Sequence, residues 1–208
     1  MPIKRLALFV LFFSLLALAA PPEPIDAGKT SGNVFESSYF HFRYEFPKAW
    51  FALDDNARVA GNNKRYRDAL SEPARPNDAN QNPITEALVP YDLLLAATTP
   101  LASGEETPMP RVRIQAIQRG TLVREPGDPA KLYIKMARPK ILKATEEVVV
   151  SGHEFVRTDF QLQAASFLSQ FVTASGSYII EFDLRAATEK DLADLVTTMQ
   201  SLKFSDHQ

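Results

Sequence analysis

The sequence contains no cysteine among its 208 residues. This absence excludes disulfide bonds, thiolate nucleophiles, and zinc or iron–sulfur sites that depend on cysteine ligands. It also excludes lipid attachment through the cysteine that a lipoprotein signal requires. The fold must therefore rest on its hydrophobic core.

Glycine and histidine are scarce, with 8 and 3 residues respectively. Scarce glycine argues against glycine-rich phosphate loops. The sequence has no G-x-S-x-G elbow, no dinucleotide-binding fingerprint and no P-loop signature. Three histidines are too few for a histidine-rich metal site. We therefore expect no catalytic residue set, no cofactor and no metal.

The chain also lacks a strong excess of one charge, since it carries 23 basic and 25 acidic residues. A mildly acidic protein does not have the basic surface that is typical of proteins binding nucleic acid or anionic lipid. The densest basic cluster, Lys64–Arg67, is interpreted as a solvated helix face. Binding of an acidic ligand is the alternative.

Only one long apolar run occurs, Leu6–Leu18, and it follows the basic residues Lys4 and Arg5. Ala17 and Ala19 supply the small residues of a cleavage site, so residues 1–19 are predicted to be a secretory signal peptide. A membrane anchor is the alternative, but the run is shorter than the ~20 residues needed to span a bilayer. We expect a periplasmic or secreted protein with no integral membrane segment after cleavage. The proline-rich residues 20–32 are predicted to be an extended tether.

The stretch from Phe40 to Trp50 alternates strictly between apolar and polar residues before Pro47 ends it. Such a period of two predicts a strand with one buried face. The residues expected to point inward are Phe40, Phe42, Tyr44 and Phe46, and those expected to point outward are His41, Arg43 and Glu45. Trp50, the single tryptophan, is interpreted as a core residue between sheet and helix, with a partly exposed contact as the alternative.

The remaining patterns predict one domain over residues 33–205, built from an antiparallel sheet and covering helices, which is an α/β (α+β) fold. Helices are predicted over Asp54–Leu70 with a break near Gly61, from Asp128 to about Arg138 with Leu132, Tyr133 and Met136 buried, and from a cap at Thr188. Strands are predicted at Val34–Phe46, with two short strands meeting near Ser37-Ser38 as the alternative to one. Further strands are predicted at Tyr91–Thr98, Arg111–Arg119, Glu146–Val150, Phe155–Leu162, Ala165–Thr173 and Ser177–Arg185.

This order of elements resembles the Mog1/PsbP-like superfamily over about Val34 to Phe204. The segments that carry the resemblance are Phe46-Pro47-Lys48-Ala49-Trp50 and Ser201-Leu202-Lys203-Phe204. The resemblance implies an α/β/α sandwich around an antiparallel sheet. It also implies a binding or assembly role, since its members include photosystem accessory subunits, a Ran-binding factor and bacterial envelope proteins of unclear role. The export signal favours the bacterial envelope members, and no functional residue carries over.

Three groups of polar residues are candidate reactive sites, and each is interpreted as polar surface. For His41 and Glu45 this surface is either an exposed sheet face or the underside of a covering helix. His41 and Glu45 would share a strand face but lie roughly 13 Å apart. A second group, His153, Glu154 and Asp159, at the turn Ser151-Gly152 and in the strand after it, could act in metal or acid–base chemistry. The third consists of two acidic pairs, Glu146-Glu147 and Glu105-Glu106, which could serve a glycosidase only across a cleft.

We expect an exported, non-enzymatic binding or accessory protein of the bacterial cell envelope that contacts a protein partner. The candidate contacts are Trp50 and the outward residues His41, Arg43 and Glu45. The loops Ser71–Pro83 and Pro100–Pro110 are further candidate surfaces. One alternative is a small-molecule binder or hydrolase whose site is assembled without a motif. The other is a structural envelope protein.

Overall fold

The computed structural model of the chain describes residues 25–71, 89–101, 109–120 and 122–205. The described part contains two antiparallel sheets, three α-helices and one 3-10 helix at Thr197–Ser201. In chain order the elements are β1 (Lys29–Ser31), β2 (Val34–Ser37), β3 (Phe42–Glu45), β4 (Phe51–Ala52), α1 (Asp55–Ser71), β5 (Tyr91–Ala97), β6 (Arg111–Gln118), α2 (Asp128–Ala137), β7 (Lys140–Val150), β8 (His153–Gln163), β9 (Ser166–Ser175), β10 (Tyr178–Ala186), α3 (Glu189–Val196) and β11 (Lys203–Phe204).

The larger sheet has seven strands in the order β4-β5-β6-β10-β9-β8-β7, and the smaller sheet has four in the order β1-β2-β3-β11. Every pair of neighbouring strands is antiparallel. The predicted α+β class with an antiparallel sheet is therefore confirmed. The small sheet is a layer that the sequence patterns did not predict.

The larger sheet has two different faces. One, the core face, carries Val112, Ile114 and Phe182 and packs against the small sheet and α3 in the main hydrophobic core. The other, the polar face, carries Arg113 and Asp183, the residues that alternate with those of the core face along β6 and β10. On the polar face α2 packs through a separate small cluster formed by Ala130, Phe160, Leu168 and neighbours.

All four predicted inward aromatics are buried in the main core. The ring of Phe182 lies 5.5 Å from that of Phe42 and 6.1 Å from that of Tyr44. However, the strand is shorter than predicted, because β3 begins at Phe42. His41 lies in the preceding turn with a φ of 54°. The expectation that His41 and Glu45 occupy one strand face is therefore wrong.

The tether prediction for residues 20–32 is wrong for its last part. Lys29–Ser31 form β1, which pairs with β2. Ala27 and Gly28 just before it are buried. Residues 1–24, including the predicted signal peptide, lie outside the described residues.

Helix α1 begins and ends within one residue of its predicted bounds, but the predicted break near Gly61 is absent. Asp54 caps its start, because its Oδ1 accepts the N–H groups of Asn56 and Ala57 at 3.0 and 3.1 Å. Asn62 lies in the middle of the helix and exchanges hydrogen bonds of 2.9 Å with the backbone N–H and C=O of Asp92. Asn62 thus anchors the helix to β5 where the sequence suggested a break.

Helix α2 differs from its prediction at two points. Met136, expected to be buried, is 82% exposed, because the helix packs through its Tyr133 and Ile134 side. The sequence predicted that Asp128 caps the start of α2, but no side chain accepts a capping hydrogen bond there. The carboxylate of Asp128 accepts the N–H groups of Arg124 and Glu125, each at 3.0 Å, and so closes the preceding loop.

Helix α3 follows its prediction. The Oγ1 atom of Thr188 accepts the N–H of Asp191 at 3.1 Å and donates to its carboxylate at 2.8 Å. The helix buries Leu192 and Leu195, and Met199 and Leu202 continue the same stripe into the core. Within the described ranges, no helix is both long and apolar enough to cross a bilayer.

Candidate functional site

The polar face of the larger sheet carries a row of charged side chains along β6 and β10. Because alternate residues of a strand share a face, every second residue of both strands points to this side. The directly opposed pairs are Arg111 with Arg185, Arg113 with Asp183, and Gln115 with Glu181. We call these six residues together with Asp92, Arg65 and Gln170 the polar stripe.

At one end of the polar stripe, Asp92 of β5 is fully engaged. Its carboxylate accepts hydrogen bonds from Arg113 Nε at 2.7 Å, Arg65 Nη2 at 2.5 Å and Gln115 Nε2 at 3.0 Å. Burial by itself would raise the pKa of this carboxyl, but the hydrogen bonds and charges of the two arginines hold it below its ordinary value. Asp92 therefore joins α1 to the sheet as a structural ion pair.

The basic cluster Lys64–Arg67 is accordingly only partly a solvated face. Arg65 reaches down to Asp92, whereas Lys64 forms an exposed i,i+4 ion pair with Asp68. One turn earlier, Arg58 is 2% exposed and donates to the carbonyl oxygens of Ala27 at 2.5 Å and Gly28 at 3.3 Å. The arginines at positions 58 and 65 thus hold the sheet and the N-terminal segment together.

In the middle of the polar stripe, Glu181 and Asp183 form a buried carboxyl pair on one strand. Gln170 of β9 donates through Nε2 to Glu181 at 2.8 Å and to Asp183 at 3.4 Å. The pKa of Glu181 is raised well above its ordinary value, first by burial and then by the charge and hydrogen bond of Asp183. Two neighbouring carboxyl groups resist losing both protons, so Glu181 keeps its proton to a higher pH than an exposed glutamate does.

At the other end, the polar stripe opens into a cleft of about 670 Å³ between β6, β10 and α2. Its charged wall is formed by Arg111 and Arg185. Tyr133 of α2 lies against the ring of Phe160 at 5.4 Å, and burial raises the pKa of its hydroxyl. The remaining lining residues are Met109, Ala137, Pro139, Leu162, Gln163, Ala165 and Ser166. The cleft therefore joins a cationic wall to a largely apolar one.

The two arginines of the cleft are directly opposed in the β6–β10 register. Like charges in this position repel each other, because opposed Cβ atoms are only about 4.5–5.5 Å apart. The nearest described contact of Arg185 with a carboxylate is Nη2 to Asp183 Oδ2 at 3.6 Å. The geometry places two guanidinium groups side by side at the rim of a cavity large enough for an organic molecule.

The predicted contact residues lie elsewhere, in and beside the small sheet. Arg43 forms ion pairs with Glu45 at 2.9 Å and Glu36 at 3.5 Å on the exposed side of this sheet. The carbonyl of His41 accepts the N–H of Ser205 at 2.9 Å. Trp50 is half-buried and packs against the main core. The structure does not bring any of these four residues into the cleft.

The other candidate groups are not assembled into reactive sites. His153 stacks on Phe204 with ring centroids 3.7 Å apart, and Glu154 is exposed. Asp159 is held away from them by Arg157 at 2.8 and 3.0 Å and by Ser169 at 2.5 Å. Glu146 pairs with Lys143 at 2.6 Å. Glu105, Glu106, and most of the loops Ser71–Pro83 and Pro100–Pro110 lie outside the described residues.

Within residues 25–71, 89–101, 109–120 and 122–205, no group of three or more histidine, aspartate or glutamate side chains could hold a metal ion.

No family model matches the sequence, and no curated protein matches it. Comparison with solved structures gives a likeness of the fold. The chain is similar to a PsbP protein. This is cyanobacterial PsbP (CyanoP) from Synechocystis sp. PCC 6803, with 10% sequence identity, coverage of 89% of this chain and 100% of that chain, and a TM-score of 0.48.

Two further structures are similar over most of the chain. A protein from Bacteroides thetaiotaomicron VPI-5482 shares 12% identity, with coverage of 86% of this chain and 50% of that one and a TM-score of 0.38. LpqN, involved in cell envelope biogenesis of Mycobacterium tuberculosis, shares 14% identity, with coverage of 79% and 83% and a TM-score of 0.35. At these identities and TM-scores, the likenesses transfer no activity, ligand or partner.

The cleft residues were not among the predicted site residues. The alternation in Arg111–Arg119 and Ser177–Arg185 already placed charged residues on one side of each strand. The charges on one face of each strand are visible in the sequence, but that both strands lie inside the sheet is known only from the structure. Charged side chains on a covered sheet face must pair with one another or with a ligand.

Proposed function

We propose that this protein is an exported, non-enzymatic binding protein of the bacterial cell envelope that takes its ligand into the cleft beside α2. The observation that carries this proposal is the cavity of about 670 Å³ whose wall includes Arg111, Arg185 and Tyr133. Ligand sites in proteins are typically concave, mostly apolar, and supplied with a few convergent polar groups. The cleft is concave, carries convergent polar groups, and has an apolar part in its lining.

Binding without chemistry is supported by the position of the buried carboxyl pair, Glu181 and Asp183. Glu181 and Asp183 do not line the cleft. Glu181 is 7% exposed and Asp183 is 6% exposed. A general acid or base must reach the proton that it transfers, within about 3 Å or through one water. The carboxyl pair therefore supports the arginine wall rather than acting on a bound molecule.

Export is supported by the predicted signal peptide at residues 1–19. A protein partner is a second candidate, supported by the outer side of the small sheet. There the side chains of Arg43 and Glu45 are each 38% exposed and that of Glu36 is 68% exposed, so a charged ladder faces outward. His41 and Trp50 lie beside this ladder in the chain and complete the proposed contact.

The cleft can be tested by filling it. Ala165 lines the cleft in the exposed turn between β8 and β9, and its neighbour Ala164 does not line it. We would dialyse wild type, Ala165→Trp and Ala164→Trp against a small-molecule extract of bacterial periplasm and identify enriched compounds by mass spectrometry. We expect a compound that wild type and Ala164→Trp enrich and that Ala165→Trp does not.

The proposal is contradicted if no compound is enriched in a way that Ala165→Trp abolishes, or if an enriched compound is consumed with turnover. The second candidate is tested separately by affinity capture from an envelope fraction with wild type and Arg43→Glu. A stoichiometric protein that only the wild type captures supports a partner on the small sheet. Equal capture by both contradicts that candidate.

A further inference from the structure

We propose that the corner at which α2 turns into β7 docks this protein on a membrane surface that carries anionic lipids. The corner consists of residues 135–141, in which cationic side chains stand beside exposed apolar ones. This inference goes beyond the proposed cleft function and does not depend on it. It follows from the exposure, the charges and the backbone of one short segment.

The corner projects from the body of the protein. Only two residues, Arg138 and Pro139, connect the end of α2 to the start of β7. Six of its seven residues are exposed, and the exception is the half-buried Pro139. Met136 is 82% exposed and Ile141 is 47% exposed. Large apolar side chains that folding leaves in water on one corner indicate a surface that is covered by something else.

Three cations of the corner have no counter-ion in the part of the chain that the structure describes. These are Lys135, Arg138 and Lys140. The next lysine on each side is already neutralised. Lys131 pairs with Asp128 at 3.0 Å. Lys143 pairs with Glu146 at 2.6 Å. Since residues 135–141 include no acidic residue, the corner itself carries an uncompensated positive charge.

The composition of the whole chain does not reveal this surface. With 23 basic and 25 acidic residues, the chain has no overall positive charge, and on that ground the sequence predicted no basic surface for anionic lipid. Attraction to a charged surface depends on the local charges, because exposed charges more than about 8 Å away are largely screened at physiological salt. The corner can therefore attract anions although the chain as a whole is slightly acidic.

The backbone of Arg138 supports a role for its side chain. Its φ of 48° and ψ of 49° lie in the left-handed region, where glycine is the usual residue at a helix end. A side chain in this conformation costs stability, so glycine would end the helix at a lower cost. Residues held in such conformations are typical of functional surfaces. We infer that the arginine serves through its charge.

A membrane surface fits this combination better than a protein or a soluble polyanion does. A stable protein interface takes about 20–30 residues from each partner, whereas the corner offers seven. A soluble polyanion would pair with the cations but leave Met136 and Ile141 in water. An anionic bilayer accepts both kinds of side chain, because its headgroups attract lysine and arginine while apolar side chains enter the boundary between headgroups and acyl chains.

Vesicle co-sedimentation tests the proposal with the chain that the predicted cleavage leaves, residues 20–208. We expect this chain to bind vesicles made of equal parts phosphatidylglycerol and phosphatidylcholine. It should bind pure phosphatidylcholine at least about tenfold more weakly, because each cation near an anionic surface contributes about fivefold. Binding to the anionic vesicles should weaken as salt rises.

Matched pairs of exposed residues locate the docking surface. Lys135→Gln should weaken binding about fivefold. Lys190→Gln, which removes an exposed lysine from α3 on the opposite face of the larger sheet, should bind like wild type. Met136→Gln should weaken binding about fivefold or more, because an apolar side chain no longer leaves water. Val149→Gln, which removes an apolar side chain that is 71% exposed outside the corner, should not.

Arg138→Gly separates the charge from the fold. Glycine suits the left-handed backbone at this position, so the variant should unfold thermally close to wild type. It should nevertheless bind the anionic vesicles about fivefold more weakly. Thermal unfolding of the other variants checks in the same way that each of them is folded.

The proposal is overturned if the chain does not bind the anionic vesicles, or if Lys135→Gln and Lys190→Gln bind them equally. It is also overturned if Met136→Gln binds like wild type. The contact would then be purely electrostatic, and an acidic protein or a soluble polyanion would serve as well as a membrane. None of the substituted residues lines the cleft, so every outcome leaves the cleft function unaffected.

Discussion

At the scale of single residues, the charged side chains of the polar face differ in how their charges are compensated. The carboxylate of Asp92 accepts hydrogen bonds from two arginines and from the Gln115 amide, and Arg58 donates to three backbone carbonyls and to Asp55. Glu181 has no cation within hydrogen-bond distance in the described contacts and shares its surroundings with another carboxyl. The same sheet face thus holds Asp92, whose carboxylate stays charged to low pH, and Glu181, whose carboxyl group resists ionisation.

The raised pKa of Glu181 predicts a pH-dependent stability that Glu181→Gln removes. Above the ordinary value of 4.5, the folded wild type holds a proton that the unfolded chain has lost. The free energy of unfolding therefore falls as pH rises towards the raised pKa, by up to about 1.4 kcal/mol per pH unit. The glutamine variant cannot ionise, so it should be more stable than wild type at neutral and alkaline pH. Urea unfolding between pH 4 and 9 measures this.

The control for that series is Glu147→Gln, which changes an exposed glutamate on β7. It should follow the wild-type profile. Parallel profiles for wild type and Glu181→Gln would mean that the burial of Glu181 does not disfavour its charged form.

Asp92→Asn should destabilise the protein by about 1.5–3 kcal/mol in urea unfolding at neutral pH, the usual contribution of hydrogen bonds to charged groups. The reason is that Arg65 and Arg113 would lose their common carboxylate. Asp68→Asn removes an exposed i,i+4 pair with Lys64 and should cost less than about 0.5 kcal/mol. Equal effects of the two substitutions would contradict the structural role of Asp92.

At the scale of elements, local sequence determines where a helix starts but does not determine the full extent of a strand. Helix α3 is capped by Thr188 as its sequence predicts, because the capping hydrogen bond is local. Strand β7, at the edge of the larger sheet, has two register shifts against β8, between Ile141 and Lys143 and between Lys143 and Glu146. Such bulges make an edge a poor template for pairing with another chain. The local sequence therefore predicted the cap of α3 correctly, but it predicted only the Glu146–Val150 part of β7.

Thr188→Ala should lower the free energy of unfolding by about 1 kcal/mol, the usual cost of losing an N-cap. Because the cap starts the helix that covers the core face, the loss should appear in global unfolding and not only as fraying of α3. Thr197→Ala, at the exposed C-terminal end of this helix, is the matched control. An effect of Thr188→Ala no larger than the control would show that packing alone defines the start of α3.

At the scale of the whole molecule, the domain begins earlier than its composition suggests. Residues 25–32 contribute β1 and two of the three backbone carbonyl acceptors of the buried Arg58. They also contribute Thr30, which donates from N and Oγ1 to Asp55 at 3.0 and 3.1 Å. The N-terminal segment is therefore part of the folded unit.

A chain starting at residue 33 should lose at least about 3 kcal/mol of stability relative to one starting at residue 25, because several hydrogen bonds to charged groups disappear together. Denaturant unfolding of both chains measures the difference. If the two chains unfold at the same denaturant concentration, Arg58 finds other acceptors and residues 25–32 are a tether after all.

The sequence by itself determined the class of the fold and its main core. The period of two in Phe40–Phe46 and in Ser177–Arg185 fixed which residues enter the core, and the stripe from Leu192 to Leu202 fixed the buried side of α3. These patterns are local, and burial enforces them because a slip of one residue would expose the whole apolar set. The same patterns failed for Met136, where two sides of one short helix compete for burial.

Only the tertiary structure decided the cleft. Alternation states that Arg111 and Arg185 each share a face with other charged residues of their own strand, but it does not state which strand lies beside which. The pairing of β6 with β10 places one arginine opposite the other, and α2 closes the cavity beside them. The physical reason is that cross-strand register is set by the packing of the entire sheet, whereas the face that a residue occupies is set by its own strand.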